Sequence, residues 1–205
     1  FAGRGLVPGR VIAQHRGGYA VSLQEGAAAA AAGGPPALVN VLADAPRSLR
    51  SDRLNRPAVG DWVAAELRAD GKATVRAVLP RRSAFVRKAA GEGMREQVVA
   101  ANVDVVLVVT SLDDDLSPRR LERYIAVALE SGARPAIVLS KADLADEAGA
   151  RQDAIALVRT VAAASDTAVH LLSTRTGEGM AEIEAYLAPG RTVALLGSSG
   201  VGKST

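Results

Sequence analysis

The sequence contains no cysteine. Disulfides and cysteine-ligated metal or redox centres are therefore excluded for these 205 residues. Absence of thiols fits a reducing compartment, and a cytoplasmic location is expected. Aromatic residues make up only 3% against 48% apolar residues. The core must therefore come from Ala, Val and Leu. Only two histidines are present. His15 lies beside a hairpin turn and His170 in an apolar strand, and both read as structural. No apolar run approaches the roughly 18 residues of a spanning helix, so no membrane contact is expected. No secretory leader opens the chain. Its first residue is Phe, not Met, and the natural start is expected to lie upstream.

Charge is unevenly spread. Residues 1–95 hold 15 Lys/Arg against 7 Asp/Glu, and residues 96–205 hold 10 against 15. A basic front half joined to an acidic back half suggests that the front meets a polyanion. Arg47, Arg50, Arg53 and Arg56 recur every third residue, and Arg81 and Arg82 follow later. These six are the candidate contacts to RNA phosphates.

The front half reads as short strands. Runs at 10–14 and 19–23 flank Arg16-Gly17-Gly18, and runs at 60–67 and 73–79 flank Asp70-Gly71; both are hairpin signals. A further run spans 37–42. Five short strands over residues 1–84 suggest an all-β OB-type barrel, with an SH3-like barrel as the close rival. Trp62 is expected in its core. The alanine stretch 27–32 reads as a loop insertion. Residues 85–100, rich in Arg and Gly, are expected to be a basic linker. Asp113-Asp114-Asp115 precede a helix start and read as a cap rather than a metal cluster.

From residue 101 the pattern changes. Val103 to Val109 is a continuous apolar run, as in a strand buried on both faces. Ser117-Pro118 opens a helix and Gly132 closes it. Further strands at 135–139, 168–172 and 192–196 alternate with helices at about 151–164 and 179–187. This alternation predicts a parallel α/β sheet.

The last nine residues match G-x-x-x-x-G-K-[ST]. They run Gly197-Ser198-Ser199-Gly200-Val201-Gly202-Lys203-Ser204-Thr205. In such a loop the backbone amides ring a phosphate, Lys203 reaches the β/γ-phosphates, and the Ser204 hydroxyl ligates Mg²⁺. Lys203 and Ser204 are thus the candidate catalytic groups. A helix beginning here would add its positive end. Two more loops follow predicted strands: Ser140-Lys141-Ala142-Asp143, and Ser173-Thr174-Arg175 with Thr176-Gly177. Ligands of parallel sheets bind at such strand ends. Asp143 can accept from guanine N1–H and the 2-amino group, a donor pair that adenine lacks. The Lys141 stem can lie along the base, and amides near Ser173–Thr174 can meet guanine O6. An ATPase of another class fits these loops less well. A passive OB-type RNA-binding module with a vestigial nucleotide site is the alternative function.

The order is unusual, with base recognition before the phosphate loop. This order, behind an OB-like domain, resembles the circularly permuted ribosome small-subunit-dependent GTPase A family (RsgA, also called YjeQ). Gly60-Asp61-Trp62-Val63, Pro80-Arg81-Arg82, Gln97, Ala100 to Asp104, Leu121-Glu122-Arg123-Tyr124 and Gly197 to Thr205 carry the resemblance. It implies hydrolysis of GTP to GDP during late maturation of the small (30S) ribosomal subunit. It also implies a GTP/GDP and Mg²⁺ site at residues 140–143, 173–175 and 197–205, and an OB domain on 16S rRNA. The protein would act as a monomer. A zinc domain is implied as well, but its ligands are not in this chain. Nor are the switch segments, so these residues alone are not expected to turn over GTP efficiently. Ser140 stands where the family commonly has Asn, which implies a looser tie to the phosphate loop.

Overall fold

The computed structural model describes residues 5–24, 38–89, 95–112, 116–144 and 148–204. The alanine insertion, Asp113–Asp115 and Thr205 lie outside them. The chain divides into two compact units, Phe1–Asn102 and Val103–Thr205.

In the first unit β1 (Leu6–His15), β2 (Gly18–Gln24), β3 (Leu38–Asp44), β4 (Trp62–Leu67) and β5 (Ala73–Val78) close a barrel in the order β1-β2-β3-β5-β4. β1 pairs antiparallel with both β2 and β4, and β3 meets β5 in parallel. That out-of-sequence β3–β5 pairing is Greek-key closure of OB type, which settles the choice against the SH3-like rival. Alternation along the strands fills the interior with Val11, Tyr19, Val21, Leu23, Val63, Ala65 and Val75. Tyr19 is the one ring among these core residues, as the aromatic-poor composition requires.

Trp62 is not in that core. Val63 takes the inward position, so period-two alternation turns Trp62 to the outer face, where it is 41% exposed. The Arg10 guanidinium lies 5.3 Å from its ring centroid, a cation–π contact.

Residues 85–100 correct the linker expectation. They fold as an antiparallel hairpin of β6 (Ala84–Ala89) and β7 (Arg95–Ala101). Val98 and Ala101 bury apolar surface against Ala58, and Val59 bridges Ala100. Asn102, held at φ 55°, locks this seam. Its side-chain amide donates to the Gly60 carbonyl at 3.0 Å and its oxygen accepts from the Arg82 amide at 2.9 Å.

Arg81 also departs from expectation. Its guanidinium forks onto Asp61, with Nε to Oδ1 at 2.7 Å and Nη2 to Oδ2 at 2.7 Å. It also donates to the backbone carbonyls of Arg56 and Leu54. Asp61 is fully buried and Arg81 is 14% exposed. Planar two-point recognition of a buried carboxylate takes Arg81 out of the phosphate-contact set.

The second unit is a four-stranded parallel sheet in the order β10-β9-β8-β11. Its strands are β8 (Val105–Ser111), β9 (Arg134–Ser140), β10 (Ala168–Leu171) and β11 (Val193–Leu196). β8 is buried at every position, as a strand covered on both faces must be. One face meets α2 (Pro118–Glu130), which inserts Leu121, Ile125 and Ala128. α3 (Ala148–Ala163) packs on α2 and β10. On the other face Ile183 of α4 (Met180–Glu184) and Tyr186 pack against Val105, Leu107 and Val109.

Removing Arg81 would leave Asp61 buried without its ion partner. We predict that Arg81→Ala lowers the unfolding free energy of the barrel unit by about 3 kcal/mol. Arg81→Lys should recover only part, because an ammonium cannot make the two-point contact. Denaturant unfolding followed by Trp62 fluorescence measures both. A loss below about 0.5 kcal/mol would show that the pair is incidental.

Candidate nucleotide-binding site

Parallel pairing brings the carboxyl ends of β8, β9, β10 and β11 to one edge of the sheet. The loops after β9, β10 and β11 are the three that the sequence singles out, so the fold gathers residues 140–143, 173–175 and 197–204 along that edge.

The phosphate loop is pinned at both ends. A Cβ on Gly197 would lie 2.2 Å from the Val109 carbonyl oxygen, so only glycine lets the chain leave β11 so close to β8. Further on, Val201 is 1% exposed and packs into the cluster with Val109 and Val138. Gly200 and Gly202 flank it at φ 82° and 91°. The Val201 carbonyl accepts a 2.6 Å hydrogen bond from Ser140 Oγ, which also approaches the Thr110 carbonyl at 3.2 Å. The Ser140 hydroxyl thus ties the loop after β9 to the phosphate loop. The Lys203 ammonium folds onto the Ser198 carbonyl. Residues 199–204 are turns and bends, not the expected start of a helix. A helix opening at Lys203 would need amide donors further along the chain to close its first turn.

The base loops are joined as tightly. The Ala142 amide donates to the Leu172 carbonyl at 3.1 Å, and the Leu172 amide to the Leu139 carbonyl at 2.8 Å. Lys141 is held in the left-handed region at φ 56°, a conformation that costs a non-glycine residue energy and clusters at functional turns. Asp143 sits on a short 3₁₀ turn, Ala142–Leu144. Its Oδ1 accepts from Ser173 Oγ at 2.5 Å and its Oδ2 from Arg175 Nε at 2.6 Å. Ser173 is fully buried, and its Oγ accepts from the Thr176 amide at 3.2 Å. The Ser173 hydroxyl, and after it the Arg175 guanidinium, hold the Asp143 carboxyl below the usual aspartate range. A folded value below the unfolded one stabilises above the unfolded pKa, and that contribution fades as pH falls through the folded value. At neutral pH Asp143 is an ionised acceptor.

Of the RNA candidates, Arg47 and Arg50 lie on a one-turn helix, α1 (Arg47–Ser51), and with Arg53 and Arg82 they are exposed. Arg56 is half-buried and donates to Tyr19 Oη at 3.2 Å. Sequence reasoning missed the rest of this barrel end. A cleft of about 330 Å³ is lined by His15, Tyr19, Leu42, Arg68 and Lys72. A smaller recess beside it shares His15 and Tyr19 and adds Arg16, Arg50 and Arg56. Those cations are far apart in sequence, and only barrel closure collects them. His170 is occupied structurally: Nδ1 meets Glu182 Oε2 at 2.6 Å and Nε2 meets Tyr186 Oη at 2.8 Å. At the loop edge the Thr110 hydroxyl is buried with no hydrogen-bond partner among the described residues.

The Ser140 bond generates a prediction. Ser140→Ala leaves the Val201 carbonyl without that donor and should destabilise the α/β unit by about 1 kcal/mol. Hydrogen exchange at amides 198–203 should rise more than at β8. Equal protection in both variants would mean the bond does not hold the loop.

A family model described as RsgA GTPase matches residues 78–205. The small ribosomal subunit biogenesis GTPase RsgA of Opitutus terrae is 49% identical over 159 residues, covering 73% of this chain and 42% of that protein. Its namesake from Xylella fastidiosa is 43% identical over 198 residues, covering 97% and 53%. The chain thus spans about half the length of the curated relatives it matches. Among solved structures, YjeQ from Thermotoga maritima superposes with a TM-score of 0.69 at 25% identity, over 97% of this chain and 63% of that one. YloQ, described as a circularly permuted GTPase, superposes with a TM-score of 0.66 at 19% identity, over 97% and 62%, and supports the fold. The family match takes in both base loops and the phosphate loop, and the chain belongs to the RsgA GTPase family.

Proposed function

We propose that this chain supplies guanine-base and phosphate recognition to a GTPase that acts in biogenesis of the small ribosomal subunit. The observation that carries the reading is the Ser140 hydroxyl on the Val201 carbonyl. It couples a loop chemically suited to guanine to a loop chemically suited to phosphate. The printed names of the relatives support the cellular role.

The roles follow from donor and acceptor chemistry. Asp143 takes the N1–H and 2-amino donors of guanine, and Ser173 orients its carboxylate. The Lys141 stem lies along the base, with Ala142 and Thr174 completing the walls. Amides of Gly197 to Gly202, with Ser198 and Ser199, surround the β-phosphate. Lys203 neutralises the β/γ-oxygens, where charge develops as water displaces GDP from the γ-phosphorus. The exposed Ser204 hydroxyl is a hard oxygen donor and fits Mg²⁺, which takes its other ligands from phosphates and water. That ion would neutralise phosphate charge during transfer. No group of three or more His, Cys, Asp or Glu stands together among the described residues.

For the barrel we propose docking on rRNA phosphates through the exposed Arg47, Arg50, Arg53 and Arg82, together with Arg16 and Lys72 of the clefts beside His15 and Tyr19. A basic surface poor in rings suits recognition by charge and shape rather than by base stacking. No helix among the described residues is long and apolar enough to cross a membrane, and we propose a cytoplasmic setting.

Two tests use the full-length protein. Asp143→Asn exchanges an acceptor for a donor at the base edge. It should cost GTP at least tenfold in affinity and confer binding of xanthosine nucleotides; unchanged GTP affinity counts against the base assignment. Reversing Arg47, Arg50 and Arg53 to Glu should weaken subunit association and flatten its salt dependence by about 2–3 in log–log slope. Nucleotide affinity should stay as it was. Association indifferent to salt and to these changes would remove the barrel from the interface.

A further inference from the structure

The Asp143 carboxylate is already occupied. Its side chain is 9% exposed, with Ser173 on one oxygen and Arg175 on the other. The two ligands differ in kind. Ser173 is buried and braced by the Thr176 amide, so it is part of the wall and orients the carboxylate. The Arg175 side chain is 71% exposed and reaches back from the loop after β10 to place Nε 2.6 Å from Oδ2. A guanidinium offers the same planar array of N–H donors as the N1/N2 edge of guanine. Both seek the in-plane lone pairs of a carboxylate.

Building on the guanine reading above, we infer that Arg175 is an internal mimic of the guanine edge, holding Asp143 until the base displaces it. Arg175 is then a competitor for the base-recognition carboxylate rather than a contact to the bound base. Competition of this kind lowers apparent affinity by the fraction of time the carboxylate is free. The pair is solvent-exposed on the arginine side, so the effect is modest, about twofold to fivefold. It falls on association, because the pair must open before the base seats. It also sharpens the demand on the ligand. A base that cannot replace the arginine's donors leaves the carboxylate with Arg175 and gains nothing there.

The test is stopped-flow association and dissociation of a fluorescent GDP analogue with the full-length protein. Arg175→Ala should associate about twofold to fivefold faster than wild type, with an unchanged dissociation rate. Arg175→Gln, which keeps a donor but loses the charge, should fall between them. The difference between wild type and Arg175→Ala should shrink as salt screens the pair. Weaker binding or faster dissociation in Arg175→Ala would overturn the inference and make Arg175 a contact to the bound base. Identical rates would overturn it as well. An Asp143→Asn protein that binds GDP like wild type would remove both the guanine reading and this inference. Failure of the Arg175 variants alone removes only the mimic.

Discussion

One hydrogen bond organises the loop edge of the parallel sheet in this protein. Ser140 Oγ to the Val201 carbonyl, 2.6 Å long and buried, crosses from the end of β9 to the middle of the phosphate loop. The loop is otherwise glycine-rich and would pay a large entropic cost to hold one shape. Val201 anchors it from below by burial in the sheet core, and Gly197 lets it hug β8. The hydroxyl adds the lateral restraint. Base and phosphate loops arise from strands that are not neighbours, since β8 lies between β9 and β11. A restraint between them sets the spacing that a nucleoside phosphate would have to span.

The first unit uses the same device with charge. The Asp61 carboxylate is wholly buried and answered by the Arg81 fork and by the Ala58 amide at 2.8 Å. The arginine ties Asp61, the residue before β4, to the segments around Leu54 and Arg56, while Asn102 ties the barrel to its hairpin. These polar clamps are demanding, because each buried group needs its partner. They compensate for a core assembled mostly from Ala and Val, which offers little interlocking surface. The front half's positive charge is therefore of two sorts. Arg81 is consumed by the fold, whereas Arg47, Arg50 and Arg53 face solvent.

Much of this was legible in the sequence, and its failures have physical reasons. The strands of both units were readable because apolar runs were bounded by Gly, Pro and Asp. Out-of-sequence β3–β5 pairing was not, since nothing local encodes which distant edges meet. Trp62 was expected inside because tryptophan is large and apolar. Strand parity and the cross-strand Arg10 decided otherwise. The hairpin at 84–101 was hidden by its arginines and glycines, which mimic a linker, while among its described residues Val98 and Ala101 are the buried apolar ones. Motif spacing singled out residues 140–143, 173–175 and 197–204, which the parallel sheet gathers along one edge. It could not show that Asp143 is held by Arg175, or that Ser140 donates to the Val201 carbonyl.

The central claim is that these loops recognise a guanine nucleotide as one unit. Calorimetric titration of the full-length protein with GDP, GTP and ATP in Mg²⁺ buffer tests it most directly. The account predicts binding of GDP and GTP at a single site, with ATP at least about a hundredfold weaker because adenine lacks the N1–H and 2-amino donors that Asp143 would accept. ATP binding as tightly as GTP, or no nucleotide binding at all, would contradict it.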